Sequence, residues 1–474
     1  MTLLLASAAE LAAGIRRGEY TSREVVDAHI GRIRTVNPVI NAVVAERFEA
    51  ARAQADQADR ELRDGSPADD RTLLGVPFTV KESLAVAGMP NTAGVVARSE
   101  YRPDASATVV QRVVDAGAIN LGVTNTSEGC MWIESTNRVY GRTNNPYRPE
   151  HTAGGSSGGE GAVIGAGGSP FGLATDTLGS IRVPAACSGV FGHRPSTGLL
   201  PLTGAWPPPH GVARMCSNGV LTRRAGDLAP LLRIMAGPDG IDPLTDDMPI
   251  HDPVTDLTGL RVVLLDGGLA PAFARDVLAA RDRAAQALDA AGAQVETVHL
   301  KHLRHAGFLA AIHLAEETGV TFRETLHGEG ASPLALREML AYRGNHTPAM
   351  RLLLLGEMFA SALPRPIIRS LTAMTRELMD TVTEVVGDGI VLHPTMSTAA
   401  PRHSRTTGRP WKTNAVAPFC LAGLPVTQIP LGLSPHGIPV GVQAVGGPGN
   451  DHLTIGAALV LEQTFGGWQP PEAR

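Results

Sequence analysis

The chain has 474 residues, of which 43% are hydrophobic and 18% charged, with a formal net charge of -5. That composition supplies ample core material and excludes a disordered chain, and the scattered charges leave neither a basic stripe for nucleic acid nor a polybasic patch for a membrane. The four cysteines, Cys130, Cys187, Cys216 and Cys420, lie far apart with no CxxC pair, which argues against a zinc site or disulfide framework and suits a reducing, cytoplasmic setting.

The opening MTLLLASAAELAAGIRRGEY holds a brief apolar run broken by Glu10, with no basic segment before it, and reads as a helix rather than a signal peptide. The spacing of Leu11, Ile15, Val25, Val26, Ile30 and Ile33 predicts helix over residues 8 to 36, with a start signal at Thr21-Ser22 and a stop at Asn37-Pro38. Residues 41 to 63 predict a second, alanine-rich helix, which completes an N-terminal helical hairpin over 1–65. LLGVPFTVKES predicts a buried strand carrying Lys81 at its end, and ATVVQRVVDAGAINLGVTNT predicts helix, a stop at Gly117, then strand. The pattern recurs at LRVVLLDG with ARDVLAARDRAAQALDAAGAQVETV, and again near GDGIVLHPT and LPVTQIPLGL. Strands alternating with helices predict an α/β fold, a mixed wound central sheet covered by helices on both faces.

No repeat or long linker divides the chain, so one domain over 1–474 is expected. Its catalytic core would span 66–230 and 386–474, and the mainly helical 231–385 would supply walls specific to the substrate. RLLLLGEMFASALPRPIIRSL is interrupted by Glu357 and two prolines, short of the ~20 apolar residues a transmembrane segment needs.

The densest chemical signal is TAGGSSGGEGAVIGAGGSPFGLATDTLGSIRVP, residues 152 to 184. A phosphate-cradling loop would need GxxxxGK[ST], and no lysine follows these glycines. No GxSxG elbow surrounds Ser156, Ser157 or Ser180, which leaves a histidine-assisted serine without support. A serine served by a buried neutral lysine remains open, because glycines let backbone N–H groups approach a developing oxyanion closely.

GGSSGGEGA followed by TDTLGSIRVPA resembles the amidase signature family, and the resemblance continues through LLGVPFTVKES, NLGVTNTSEGCMW, GRTNNPY and FCLAGLPVTQIPLGL. SEGCMWIESTNRVYGRTNNPY and GVFGHRP are most similar to its fatty-acid amide hydrolase 2 type. The resemblance implies a Ser-cisSer-Lys triad hydrolysing carboxamides, with esters or carbamates as further substrates. Ser180 takes the nucleophile position, Ser156 the bridge and Lys81 the base. It further implies an oxyanion hole of the Thr177, Leu178, Gly179 and Ser180 N–H groups, a supporting Asp176–Arg182 pair, and a pocket wall at Gly129, Cys130, Met131 and Trp132. Leu178 departs from the family, which has glycine there; a left-handed backbone at that position would strain leucine by ~1–2 kcal/mol. Two other readings follow, a weakened homologue with a binding role and the amidase component of a transamidation complex.

Ser157 either donates to Ser180 or caps the helix after it. No metal or organic cofactor is implied; the partner is a small-molecule amide, not nucleic acid, and a homodimer is compatible with the chain. His299, His302 and His305 have a spacing that suits one helical face near Glu316, a solvated face more than a metal site. His393 reads as structural and Cys187 as a small buried residue.

Overall fold

The computed structural model describes residues 3–65, 70–208, 215–266, 273–300, 303–318, 321–327, 344–361 and 363–472. Two capping boxes start the N-terminal helices. Ser7 and Glu10 cap α1 (Ala8–Arg16), and Thr21 and Glu24 cap α2 (Ser22–Ile40), each pair exchanging side-chain and backbone bonds.

The expected stop at Asn37-Pro38 is displaced: α2 runs past Pro38 to Ile40 and ends on a left-handed Asn41. The Asn37 side chain accounts for the shift, since its Oδ1 accepts from the Ala42 and Val43 amides and its Nδ2 donates to the Val43 carbonyl. That bracket directs the chain into a short strand, β1 (Val43–Glu46), where helix was expected; α3 (Phe48–Arg63) begins only after it.

The strands that follow are β2 (Pro77–Lys81), β3 (Ile119–Thr124), β4 (Thr136–Asn137), β5 (Gly141–Arg142), β6 (Phe171–Asp176), β7 (Phe191–Arg194) and β8 (Ser217–Thr222). β9 (Arg261–Asp266), β10 (Gln294–His299), β11 (Ile390–His393), β12 (Val426–Leu433) and β13 (Pro439–Gly446) complete the set. Among the described residues, β4 and β5 pair alone and the rest form one eleven-stranded sheet, ordered β1-β3-β2-β6-β8-β7-β12-β13-β11-β9-β10. The fold is α/β and the sheet mixed, with a parallel trio β3-β2-β6, an antiparallel centre, and a parallel end at β11-β9-β10. Residues 231 to 385 are therefore more than walls, because they contribute β9 and β10.

Alternation along β2 sends its side chains to opposite faces. Phe78 and Val80 join the core cluster that also holds Phe171, with the Phe78 and Phe171 rings stacked 5.4 Å apart. Thr79 and Lys81 face the other way, toward α5 (Gly158–Gly165). The parallel trio thus brings the carboxyl ends of three strands, with Thr124, Lys81 and Asp176, to one edge, the end of a wound sheet where sites form.

Candidate active site

Lys81 has no exposed surface, and its Nζ lies 2.7 Å from both Ser156 Oγ and Thr175 Oγ1. Burial lowers the amine below its ordinary value, against the opposing pull of Cys130 and Asp176. Ser156 follows a cis peptide bond from Gly155, and its carbonyl accepts from the Ser127 amide at 3.3 Å and the Ser135 hydroxyl at 2.8 Å. Gly155 admits this packing: a Cβ there would stand 2.7 Å from the Trp132 carbonyl and the Glu134 amide.

Asp176 closes β6 and organises the turn after it. Its Oδ1 accepts from the Gly179 amide at 2.7 Å, its Oδ2 from the Ile181 amide at 3.1 Å, and Arg182 Nε bonds Oδ2 at 3.0 Å. Neither side chain of the pair is exposed. Burial works to raise the Asp176 carboxyl, but the Arg182 guanidinium outweighs it and holds the group well below the usual carboxylate range. Arg182, in α6 (Arg182–Ser188), also donates to Gln443 Oε1 and Cys420 Sγ, each at 2.7 Å.

Within this turn the left-handed residue is Gly179, at φ +91°, and Leu178 is not left-handed. Leucine thus carries no such backbone strain, and its half-buried side chain packs toward the cluster of Met215, Ala417 and Phe419. The Gly179 N–H is already donated to Asp176. Ser180 is 8% exposed; its carbonyl accepts from the Ser157 amide at 3.2 Å, and among the described residues no hydrogen bond joins its hydroxyl to Ser156.

Ser157 takes neither expected course. It makes no side-chain cap to α5 and no bond to the Ser180 hydroxyl; its Oγ donates to the Thr175 carbonyl at 3.4 Å. Gly129 and Cys130 are both left-handed, at φ +62° and +60°. Met131 packs beside Leu326, Met350 and Leu354. Trp132 donates through Nε1 to Thr406 Oγ1 at 2.9 Å and lines a cavity of ≈280 Å³ with Thr347, Met350, Leu353 and Thr407. Lys81, Ser156 and Ser180 are not among that cavity's walls.

Thr175 and Gln443 join the constellation without having been singled out in the sequence, and Cys420 stood there only as one of four scattered cysteines. Gln443 carried a signal, a lone amide in the apolar strand PVGVQAVG. The histidines do not share a helical face: His299 ends β10, His305 lies in the single turn Leu303–His305, and His302 lies outside the described residues. His393 is buried, its proton affinity lowered by burial to about 3, between the rings of Phe273 and Phe419. Cys187 is fully buried against Met396.

The mixed eleven-stranded sheet and its helices have the fold of amidase signature enzymes. The Amidase family model matches residues 24–455, so the chain belongs to that family and is a hydrolase of carbon–nitrogen bonds other than peptide bonds. It is 39% identical to fatty-acid amide hydrolase 2 of Homo sapiens, over 99% of this chain and 91% of that protein. It is 30% identical to a glutamyl-tRNA(Gln) amidotransferase subunit from Synechococcus sp. (strain WH7803), over 95% of each. It is also similar to the solved peptide amidase PAM in complex with the competitive inhibitor chymostatin, with a TM-score of 0.83, 28% identity and 99% of both chains covered. Among the described residues no helix is long and apolar enough to cross a membrane.

Asp176→Asn tests the turn. The variant strands a buried guanidinium without its counter-charge, and we expect a loss of about 3–5 kcal/mol, read from the urea midpoint at pH 7. Because the folded carboxyl titrates below its usual range, the wild-type contribution persists through mildly acidic pH and fades only as pH falls through that lowered value.

Proposed function

We propose that the protein hydrolyses small carboxamides through an acyl-enzyme on Ser180, with Ser156 as the bridge and Lys81 as the base. The observation that carries this reading is the 2.7 Å contact between a fully buried lysine and the Ser156 hydroxyl. Deprived of water, the amine favours its neutral form and accepts the Ser156 proton as Ser156 takes that of Ser180. The Ser180 oxygen attacks the carbonyl carbon, the relay returns the proton to the leaving nitrogen, and water then cleaves the ester. Hydrogen bonds of this kind tighten when substrate binds, so an unlinked Ser180 hydroxyl in the free enzyme suits the role.

The developing oxyanion falls to the hole at Thr177, Leu178, Gly179 and Ser180. With the Gly179 N–H turned to Asp176, the amides of Thr177, Leu178 and Ser180 remain for the charge. Met131 and Trp132, beside Gly129 and Cys130, form the wall that meets the substrate, and esters or carbamates of similar shape share the route. The four unpaired cysteines suit a cytoplasmic enzyme. The similarity to an amidotransferase component raises a second reading, release of ammonia to a partner, but the higher identity to the fatty-acid amide hydrolase favours free hydrolysis. Glutamine-dependent turnover only with added partner proteins would reverse that preference.

Ser180→Ala is expected to abolish covalent labelling by a fluorophosphonate probe together with turnover; labelling at the wild-type level refutes the assignment. Lys81→Ala should cost at least a hundredfold in kcat/KM. On the acid side, wild-type kcat/KM should fall with falling pH, because a protonated amine accepts nothing; a flat profile with chemistry rate-limiting counts against Lys81 as base. Leu178→Gly should widen acceptance of substrates branched beside the carbonyl while changing the rate on slim linear ones less than about tenfold, roughly 1.4 kcal/mol. A gain of a hundredfold on every substrate would show instead that leucine distorts the hole, and would favour a weakened homologue.

A further inference from the structure

Behind the Trp132 wall lies a carboxyl that the hydrolytic cycle leaves unused. Glu134 is buried, and both of its oxygens are engaged by a loop far along the chain. Its Oε2 accepts from the Ser404 amide at 2.8 Å, and its Oε1 from the Thr406 amide at 3.0 Å and from the Thr406 hydroxyl. With its one proton turned to Glu134, that hydroxyl accepts from Trp132 Nε1 at 2.9 Å. The direction of donation is thereby fixed, from indole to hydroxyl to carboxyl.

Residues 132 to 135 separate two parts of the site. On one side they pack on the serine loop, where the Ser135 amide donates to the Gly154 carbonyl at 3.0 Å and the Ser135 hydroxyl to the Ser156 carbonyl at 2.8 Å. On the other side, Trp132 and Glu134 line the ≈280 Å³ cavity with Met350, Leu353, Ser404 and Thr407. That volume falls at the small end of ligand pockets, which run from about 300 to 1,000 Å³. Backbone strain gathers around it. Among the described residues the non-glycines with a left-handed backbone are Asn41, Ala93, Cys130 and Ser404. Asparagine visits that region readily, but the other three belong to the site: Cys130 adjoins the wall, the Ala93 carbonyl accepts from the Gly129 amide at 2.8 Å, and Ser404, at φ +63°, lines the cavity. Such strain persists only where the surroundings enforce it, and at Ser404 Glu134 does so by taking the amide.

We infer that Glu134 is a positioning residue that determines specificity: through Thr406 it fixes the Trp132 indole, and through Ser404 the loop across from it, so that the cavity receives a compact apolar substituent of the amide. The inference rests on the reading of Trp132 as a wall that meets the substrate of Ser180. Trp132, Met350 and Leu353 give the cavity its apolar lining, while the oxygens of Glu134 are turned to Ser404 and Thr406. With the hydroxyl of Thr406 removed, the indole loses its acceptor and the wall its set position, which weakens the fit of a compact group and admits a longer one. Glu134 and Thr406 act through Trp132 and not on the reacting atoms, so the effect falls on the binding of the substituent and differs from one substrate to the next.

The test is kcat and KM on the acetyl, phenylacetyl and dodecanoyl p-nitroanilides for the wild type, Thr406→Val, Thr406→Ser and Glu134→Gln. The wild type should favour phenylacetyl over dodecanoyl in kcat/KM. Thr406→Val, close in shape but without the hydroxyl, should lower that preference at least about fivefold, the scale of one lost hydrogen bond, chiefly through the KM for phenylacetyl. Thr406→Ser keeps a hydroxyl and should hold the preference within about twofold of the wild type. Glu134→Gln, whose amide nitrogen accepts nothing, should change in the direction of Thr406→Val. A wild type that prefers dodecanoyl overturns the inference, as does a loss in Thr406→Val equal on every substrate, or a Thr406→Ser as altered as Thr406→Val. Should Glu134→Gln fail to fold, the two Thr406 variants decide. Ser180→Ala treated in parallel with a fluorophosphonate probe keeps the two readings apart: retained labelling defeats the serine–lysine relay, while lost labelling with an unmoved preference in Thr406→Val defeats only the role of Glu134.

Discussion

An amine shut away from water with, among the described residues, no ion-pair partner is the constraint around which this molecule is arranged. Enclosing Lys81 is unfavourable for its charged form, and the surroundings answer with hydroxyls rather than carboxylates: Ser156 and Thr175 bond the amine directly. The anion within reach, Asp176, is occupied by Arg182. The same low-dielectric interior penalises the ammonium form and lowers the amine below its ordinary value.

The sheet supplies the enclosure. Three parallel strands end together, and close-packed glycines allow the loop carrying Ser156 to be pressed between the Trp132–Glu134 backbone and Pro184, which a Cβ on Gly154 would meet at 2.8 Å. On the far side of Asp176, glycine is required at position 179 and not at 178. This explains how leucine can stand at position 178: the left-handed residue that shapes the turn is its neighbour.

Much of this was legible in the sequence. Fully buried strands read as unbroken apolar runs, which is why LLGVPFTVKES placed Lys81 at a strand end and GAINLGVTNT placed β3. The motif glycines and serines identified the family because their pattern is long and specific. What escaped depends on contacts between distant segments. β1 is four residues long and exists through its pairing with β3, far along the chain. Helix α2 outlasts its proline because the Asn37 side chain brackets the turn beyond. Ser157 had two expected partners, and the close passage of β6 provided a third. His299 belongs to a strand whose exposed outer residues blur its period.

The Arg182 bonds to Cys420 and Gln443 have a consequence for how the enzyme comes into being. Serines and lysine of the site all emerge early from the ribosome, yet the guanidinium that steadies their turn completes its coordination only when β13 has been made. Until then a buried cation would lack two of its acceptors, which disfavours closing the turn around it. The turn around Asp176 and Arg182 therefore reaches its full set of bonds only with the last strand of the sheet.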